Sequence, residues 1–129
     1  MSDSHVRHGF GAVRPYLYGA YELPAFLVTV FGASEIERHE SEDRRAAHVE
    51  LAIGDSGVVV EAGELPPEHS PTSASVYVYV EDVDAVYRRA LEAGAEPITA
   101  PEDKPYGERG CGFVAYGNTW WVATYLGSG

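Results

Sequence analysis

The chain has a single cysteine, Cys111, so no internal disulfide can form. That usage fits a reducing compartment, and a cytoplasmic location is the expectation. Positive charge is scarce: 9 Lys+Arg stand against 20 Asp+Glu, a formal net charge of −11. So acidic a chain repels phosphate backbones, and no nucleic-acid partner is expected. No apolar run is long enough to span a bilayer. The opening MSDSHVRHGFG lacks the apolar core of a secretory signal, so no membrane partner is expected either. The histidines at 5, 8, 39, 48 and 69 show no HxxxH or similar ligand spacing.

What is present is alternation punctuated by glycine. At 129 residues the chain suits one domain with a real core. Ser75–Val80 alternates, with Val76, Val78 and Val80 on one face and Ser75, Tyr77 and Tyr79 on the other, as a two-faced strand does. Asp82 is a good N-cap for a helix carrying Val83, Val86, Tyr87, Ala90 and Leu91, and Gly94 sits where a left-handed residue ends it. Ala95–Thr99 reads as a strand and Ala100–Gly107 as a proline-bearing loop. Arg109–Ala115 and Thr119–Leu126 read as a hairpin across Tyr116-Gly117-Asn118.

The first half carries the same plan more faintly. Residues 1–11 read as a loose tail. Val13–Tyr18 is a strand at a sheet edge, since Pro15 lacks an N–H. Ala20–Phe31 is a helix with Pro24 early in it and Gly32 at its end. Ser34–His39, Ala46–Ile53 and Val58–Ala62 are strands, the last two joined by Gly54-Asp55-Ser56. Gly63–Thr72, with Pro66, Pro67 and Pro71, is a linker. Gly32-Ala33-Ser34-Glu35-Ile36 matches Gly94-Ala95-Glu96-Pro97-Ile98 at a shift of 62, and Gly54-Asp55-Ser56 matches Gly117-Asn118-Thr119 at 63. The expectation is an α+β fold of two βαβββ modules, whose curved mixed sheets form a cup. Residues 12–126 make one domain, with module one at 12–62, a linker at 63–74, module two at 75–126, and tails at 1–11 and 127–129. The apolar strand faces pack on the helices, and the opposite faces line a cup suited to a ligand.

These residues resemble a known superfamily. VEDVDAVYRRALEAGAE, the Pro101–Arg109 loop and GNTWWVAT are similar to the glyoxalase/bleomycin-resistance/extradiol-dioxygenase (vicinal oxygen chelate) proteins. With AHVELAIGDS they are nearest the PhnB-like branch. The resemblance implies the two-module fold and frequent homodimers. It also implies, in the metal enzymes, a His or Glu ligand on the first and last strand of each module. Carried over, those positions fall near Arg14, at Ser75, at Val58 and at Trp121, none of them a normal divalent-metal ligand. No metal ligand and no cofactor is therefore expected. Glu61 is the candidate should a divalent metal bind; it faces away from the cup unless a bulge at Gly57 turns it inward.

Parity places Arg14, Tyr16, Tyr18, His48, Glu50, Ser75, Tyr77, Tyr79, Cys111, Phe113, Trp121, Ala123 and Tyr125 in the cup, with Arg109 or Arg14 free to pair with an anionic group. Aromatics with polar tips stack on flat ligands and hydrogen-bond their edges. His48 with Glu50 is the candidate for a general base and its helper, against the reading of a hydrogen-bonded structural histidine. Trp121 either stacks on a ligand or plugs a lost metal site. The leading expectation is a protein that binds a small aromatic or amphipathic molecule without metal. The alternatives are a metal-dependent lyase, isomerase or dioxygenase of glyoxalase type, and a structural or regulatory domain with an occluded cup. Whether it is an enzyme stays open.

Overall fold

The computed structural model describes residues 5–64 and 73–127. Ten regular elements follow a short 3-10 turn at Arg7–Gly9: β1 (Tyr16–Gly19), α1 (Leu23–Phe31), β2 (Ser34–Glu40), β3 (Ala46–Ile53), β4 (Ser56–Gly63), β5 (Ser75–Tyr79), α2 (Val83–Glu92), β6 (Glu96–Lys104), β7 (Glu108–Ala115) and β8 (Asn118–Tyr125). They form two four-stranded mixed sheets, ordered β1-β4-β3-β2 and β5-β8-β7-β6. In each the first strand runs parallel to the last, and the other pairs are antiparallel. This is the expected α+β plan of two βαβββ modules.

The chain separates into two compact units, the second of which includes Thr29–Phe31 along with everything described from residue 73. In the first unit Leu17, Leu23, Phe26, Leu27, Val49, Leu51, Val58 and Val60 are buried. In the second, Val30, Val83, Val86, Ala90, Phe113, Trp120 and Val122 are buried, and the Phe31 ring lies 5.5 Å from Trp120. Helix α2 is capped as its sequence requires: the Asp82 carboxylate accepts the Ala85 N–H at 3.1 Å, and Gly94 has φ 99°. Helix α1 is shorter than expected and has no side-chain cap, but it ends as expected on Gly32 at φ 70°.

Three expectations are corrected. Residues 1–11 are not wholly a loose tail: Arg7 and His8 hold Glu37 of β2. The stretch 100–107 is not a loop. β6 continues to Lys104, with register breaks between Pro97 and Thr99 and between Thr99 and Glu102. An edge strand with such breaks tolerates Pro101, because that residue's missing N–H deprives no neighbour of a bond. The turn between β7 and β8 is two residues, Tyr116 and Gly117, both with positive φ, not three. Most of the expected linker, residues 65–72, lies outside the described residues, as do residues 1–4 of the expected N-terminal tail and residues 128–129 of the C-terminal one.

Candidate functional site

Residues paired across neighbouring strands share a face of the sheet. In the second unit, β5 sets Ser75, Tyr77 and Tyr79 beside Thr119, Trp121 and Ala123 of β8. Strand β7 adds Glu108, Gly110 and Gly112 opposite Tyr125, Ala123 and Trp121. One polar, aromatic face results, and Ser75, Tyr77, Tyr79 and Trp121 stand on it as their alternation implied.

Phe113 and Arg109 do not. Phe113 pairs with Trp120 and Cys111 with Val122, so both lie on the apolar face with Val76 and Val78. The reason is the two-residue turn, which shifts the parity of β7 by one relative to a three-residue turn. Phe113 is fully buried against Phe31. Burial pushes the Cys111 thiol up to about 11, which leaves it an inert thiol. Arg109 reaches from the same face to α2, with Nε 2.8 Å and Nη2 3.1 Å from the Asp84 carboxylate and Nη1 3.1 Å from Asp103. Those carboxylates raise its pKa and occupy its charge.

Glu108 belongs to the polar face and was missed, because the sequence reading began β7 one residue later. It is 8% exposed. Tyr77 Oη and Tyr79 Oη both donate to its carboxylate, the latter at 2.5 Å. These two donors hold the carboxyl below the usual range, and the same bonds raise both phenols. Beside them is a cavity of about 270 Å³ whose lining includes Tyr77, Lys104, Tyr106 and Trp121, and which Cys111 and Val122 also border. The Trp121 ring lies across Gly112, so close that a Cβ there would fall 2.6 Å from Cε3.

The first unit has a polar face of its own. Tyr16 and Tyr18 of β1 lie beside Val59 and Glu61 of β4. Strand β3 brings His48 opposite Glu61 and Glu50 opposite Val59, and β2 brings Glu37 and His39 opposite Glu50 and His48. Glu61 therefore faces the same way as His48 and Glu50, contrary to expectation. No bulge at Gly57 is needed, since the β3–β4 register is unbroken from Ala46/Gly63 to Ile53/Ser56. Val58, not Glu61, points into the core, at 5% exposure.

The partner of His48 is consequently Glu61 rather than Glu50. His48 Nδ1 lies 2.5 Å from Glu61 Oε2, which also accepts from Tyr16 Oη at 3.0 Å, whereas Glu50 is 3.7 Å from His48 Nε2. Partial burial and the bond to Glu61 raise the Tyr16 phenol. Arg14 Nη1 approaches Glu50 at 3.4 Å, and its Nη2 donates to the Arg7 carbonyl. Glu37 is held to about 2 by hydrogen bonds from His39, His8 and the Arg7 guanidinium, the last at 2.8 and 2.9 Å.

A divalent metal of the kind the family resemblance implies does not fit these faces. Of the positions the resemblance implied, Val58 lies in the core, Arg14 precedes β1 and approaches Glu50, and Ser75 and Trp121 stand on the second face. In the first unit the Glu61 carboxylate is already shared by His48 and Tyr16. Elsewhere, His8, Glu37 and Glu50 each offer a ligand atom within 4.8 Å of the others. Arg7 and Arg14 lie against those two carboxylates, so a dication would have to displace a guanidinium.

A family model described as "Glyoxalase/Bleomycin resistance protein/Dioxygenase superfamily" matches residues 24–122. An uncharacterized protein of Mycobacterium bovis is 35% identical over 108 residues, which span 74% of this chain and 69% of that one. Two uncharacterized Mycobacterium tuberculosis proteins match equally well over 62% of their own length. Among solved structures, TioX from Micromonospora sp. ML1 is 28% identical with a TM-score of 0.67, over 88% of this chain and 99% of its own. A PhnB protein from Bacillus cereus is 12% identical with a TM-score of 0.68, over 88% and 99%. A point mutant of the fosfomycin resistance protein FosX from Listeria monocytogenes, complexed with Mn(II) and 1S,2S-dihydroxypropylphosphonic acid, is 18% identical with a TM-score of 0.65, over 89% and 92%. Below 25% identity the likeness is one of fold.

Proposed function

Since the chain belongs to the glyoxalase/bleomycin resistance protein/dioxygenase superfamily, we propose that it is a binding member, taking a small aromatic or amphipathic molecule on the polar face of the second sheet without a metal. The observation that carries this reading is Trp121. Its indole, 36% exposed, is laid over Gly112 as a flat wall of the cavity, at the last-strand position to which the family resemblance would assign a metal ligand. Tyr77 and Tyr106 supply further aromatic surface with polar tips, the usual means of holding a flat molecule by its faces and edge. Under the same reading the protein works as a cytoplasmic homodimer. The same reading puts the chain in the PhnB-like branch, with support from the AHVELAIGDS and Pro101–Arg109 segments.

The test is calorimetric titration of chelator-treated protein with a neutral planar probe, 1-naphthalenemethanol. Saturable binding that weakens about tenfold or more in Trp121→Ala supports the reading. Binding that appears only after divalent metal is added overturns it.

The metal-dependent alternative has one place to be tested, the convergence of His8, Glu37 and Glu50, where a dication would compete with Arg7 and Arg14. Elemental analysis after exposure to manganese and zinc decides it. Near-stoichiometric metal that disappears in Glu50→Gln would move the enzyme reading first.

A further inference from the structure

The aromatic side chains of the second polar face surround an anion. Glu108 accepts hydrogen bonds from Tyr77 and Tyr79, whose rings lie 5.4 Å apart and are tilted by 58°. Each carboxylate oxygen has two lone pairs, so two phenols do not exhaust the group. A phenol donating to an anion also gains electron density on its ring, which deepens the negative face that an aromatic presents to a cation. Tyr106 lines the cavity with Tyr77, and Tyr125 borders a second hollow with Tyr79. All four rings are more than half exposed, with Tyr79, Tyr106 and Tyr125 each above 60%.

Positive charge is used up nearby. Lys104, the cation among the cavity's lining residues, has its Nζ 2.6 Å from Glu102. Arg109 is on the opposite face, held by Asp84 and Asp103. Around the cavity Glu102 and Glu108 thus outnumber Lys104, within a chain whose net charge is −11. Such a field draws cations in and turns anions away.

We propose that the ligand of this face is an organic cation: an aromatic or amphipathic molecule bearing a quaternary or protonated amine, its charged group set among the rings of Tyr77, Tyr79 and Tyr106 above Glu108. This rests on the binding reading given under Proposed function and supplies the sign of charge that reading leaves open.

The experiment is a charge series on one aromatic frame. Calorimetry compares (1-naphthylmethyl)trimethylammonium, neutral 1-naphthalenemethanol and anionic 1-naphthoate at low ionic strength. The cation should bind roughly tenfold more tightly than the alcohol, and the naphthoate more weakly than both. Glu108→Gln should bring the cation down to the affinity of the alcohol. Tyr106→Ala, an exposed turn residue whose loss leaves the strands paired, should weaken the cation more than the alcohol. Glu92→Gln, which removes one exposed carboxylate from α2, should change neither. Equal binding of cation and alcohol overturns the charge assignment and leaves the binding reading standing. Tightest binding of naphthoate overturns it in favour of Lys104. Failure of all three probes overturns the binding reading itself, and the inference with it.

Discussion

A side chain at Gly112 would have to share space with Trp121, while one at Gly63 would meet the Arg45 carbonyl of the backbone. The obstacles differ in kind. The Trp121 ring is partly exposed and can swing outward, but a backbone carbonyl that accepts the Glu64 N–H at 3.0 Å cannot, and Gly63 also has φ 96°. Gly112→Ala is therefore expected to cost less than about 1 kcal/mol in urea unfolding, yet to shift tryptophan emission and weaken 1-naphthalenemethanol binding severalfold. Gly63→Ala should cost about 2 kcal/mol or more. Equal costs would mean that Trp121 is locked in place and is no adjustable wall. At this scale the sequence was legible where alternation was strict: Tyr77, Tyr79 and Trp121 face as Val76, Val78 and Trp120 require. Glu61 and Glu108 were not, because the direction of each hangs on a one-residue decision about where a turn ends, and such a slip reverses a strand's faces.

The 3-10 turn at Arg7–Gly9 is held to β2 chiefly by charge. Glu37 accepts from Arg7 at 2.8 and 2.9 Å, from His8 at 2.8 Å and from His39, while Phe10 rests on Gly57. Its carboxyl lies near 2 in the folded chain against an ordinary 4.5. A folded pKa below the unfolded one stabilises the carboxylate's contacts fully above the unfolded value, and that contribution is lost as pH falls. The turn should thus be held at pH 6 and released as pH drops from 4.5 toward 2. Amide exchange of residues 7–11, corrected for intrinsic rates, measures this, and Glu37→Gln should lose the protection already at pH 6. Protection that survives in Glu37→Gln would assign the anchoring to Phe10 instead. None of this was legible, since Arg7, His8 and Glu37 are 29 or 30 residues apart and no local pattern links them. Strand β6 was half legible for a related reason. Pro101, Glu102, Asp103 and Lys104 read as loop by propensity, and pairing with β7 overrides it.

The shift of 62 seen in Gly32 and Gly94 holds for the whole of each sheet beyond the first strand: β2, β3 and β4 begin at 34, 46 and 56, and β6, β7 and β8 at 96, 108 and 118. The hairpin glycines obscured it. Gly54 is the first residue of its two-residue turn and Gly117 the second of its own, so aligning them adds one. The compact units do not follow the repeat at every residue, however. Thr29–Phe31, the last turn of α1, belong to the second unit. There Phe31 stacks on Phe113 with ring centres 6.3 Å apart, and Arg89 donates from Nη2 to the Val30 carbonyl at 3.1 Å. Unravelling α1 would strip Val30 and Phe31 of these contacts as well as Phe26 and Leu27 of their burial. The chain should therefore unfold in one transition, with tryptophan emission reporting the second unit and far-ultraviolet circular dichroism the whole backbone, and the two curves should coincide. Phe31→Ala should lower that single midpoint, at a cost of roughly 2–3 kcal/mol for a ring that is only part-buried. Two separated transitions, with Phe31→Ala moving only the tryptophan curve, would show the modules to be independent folding units.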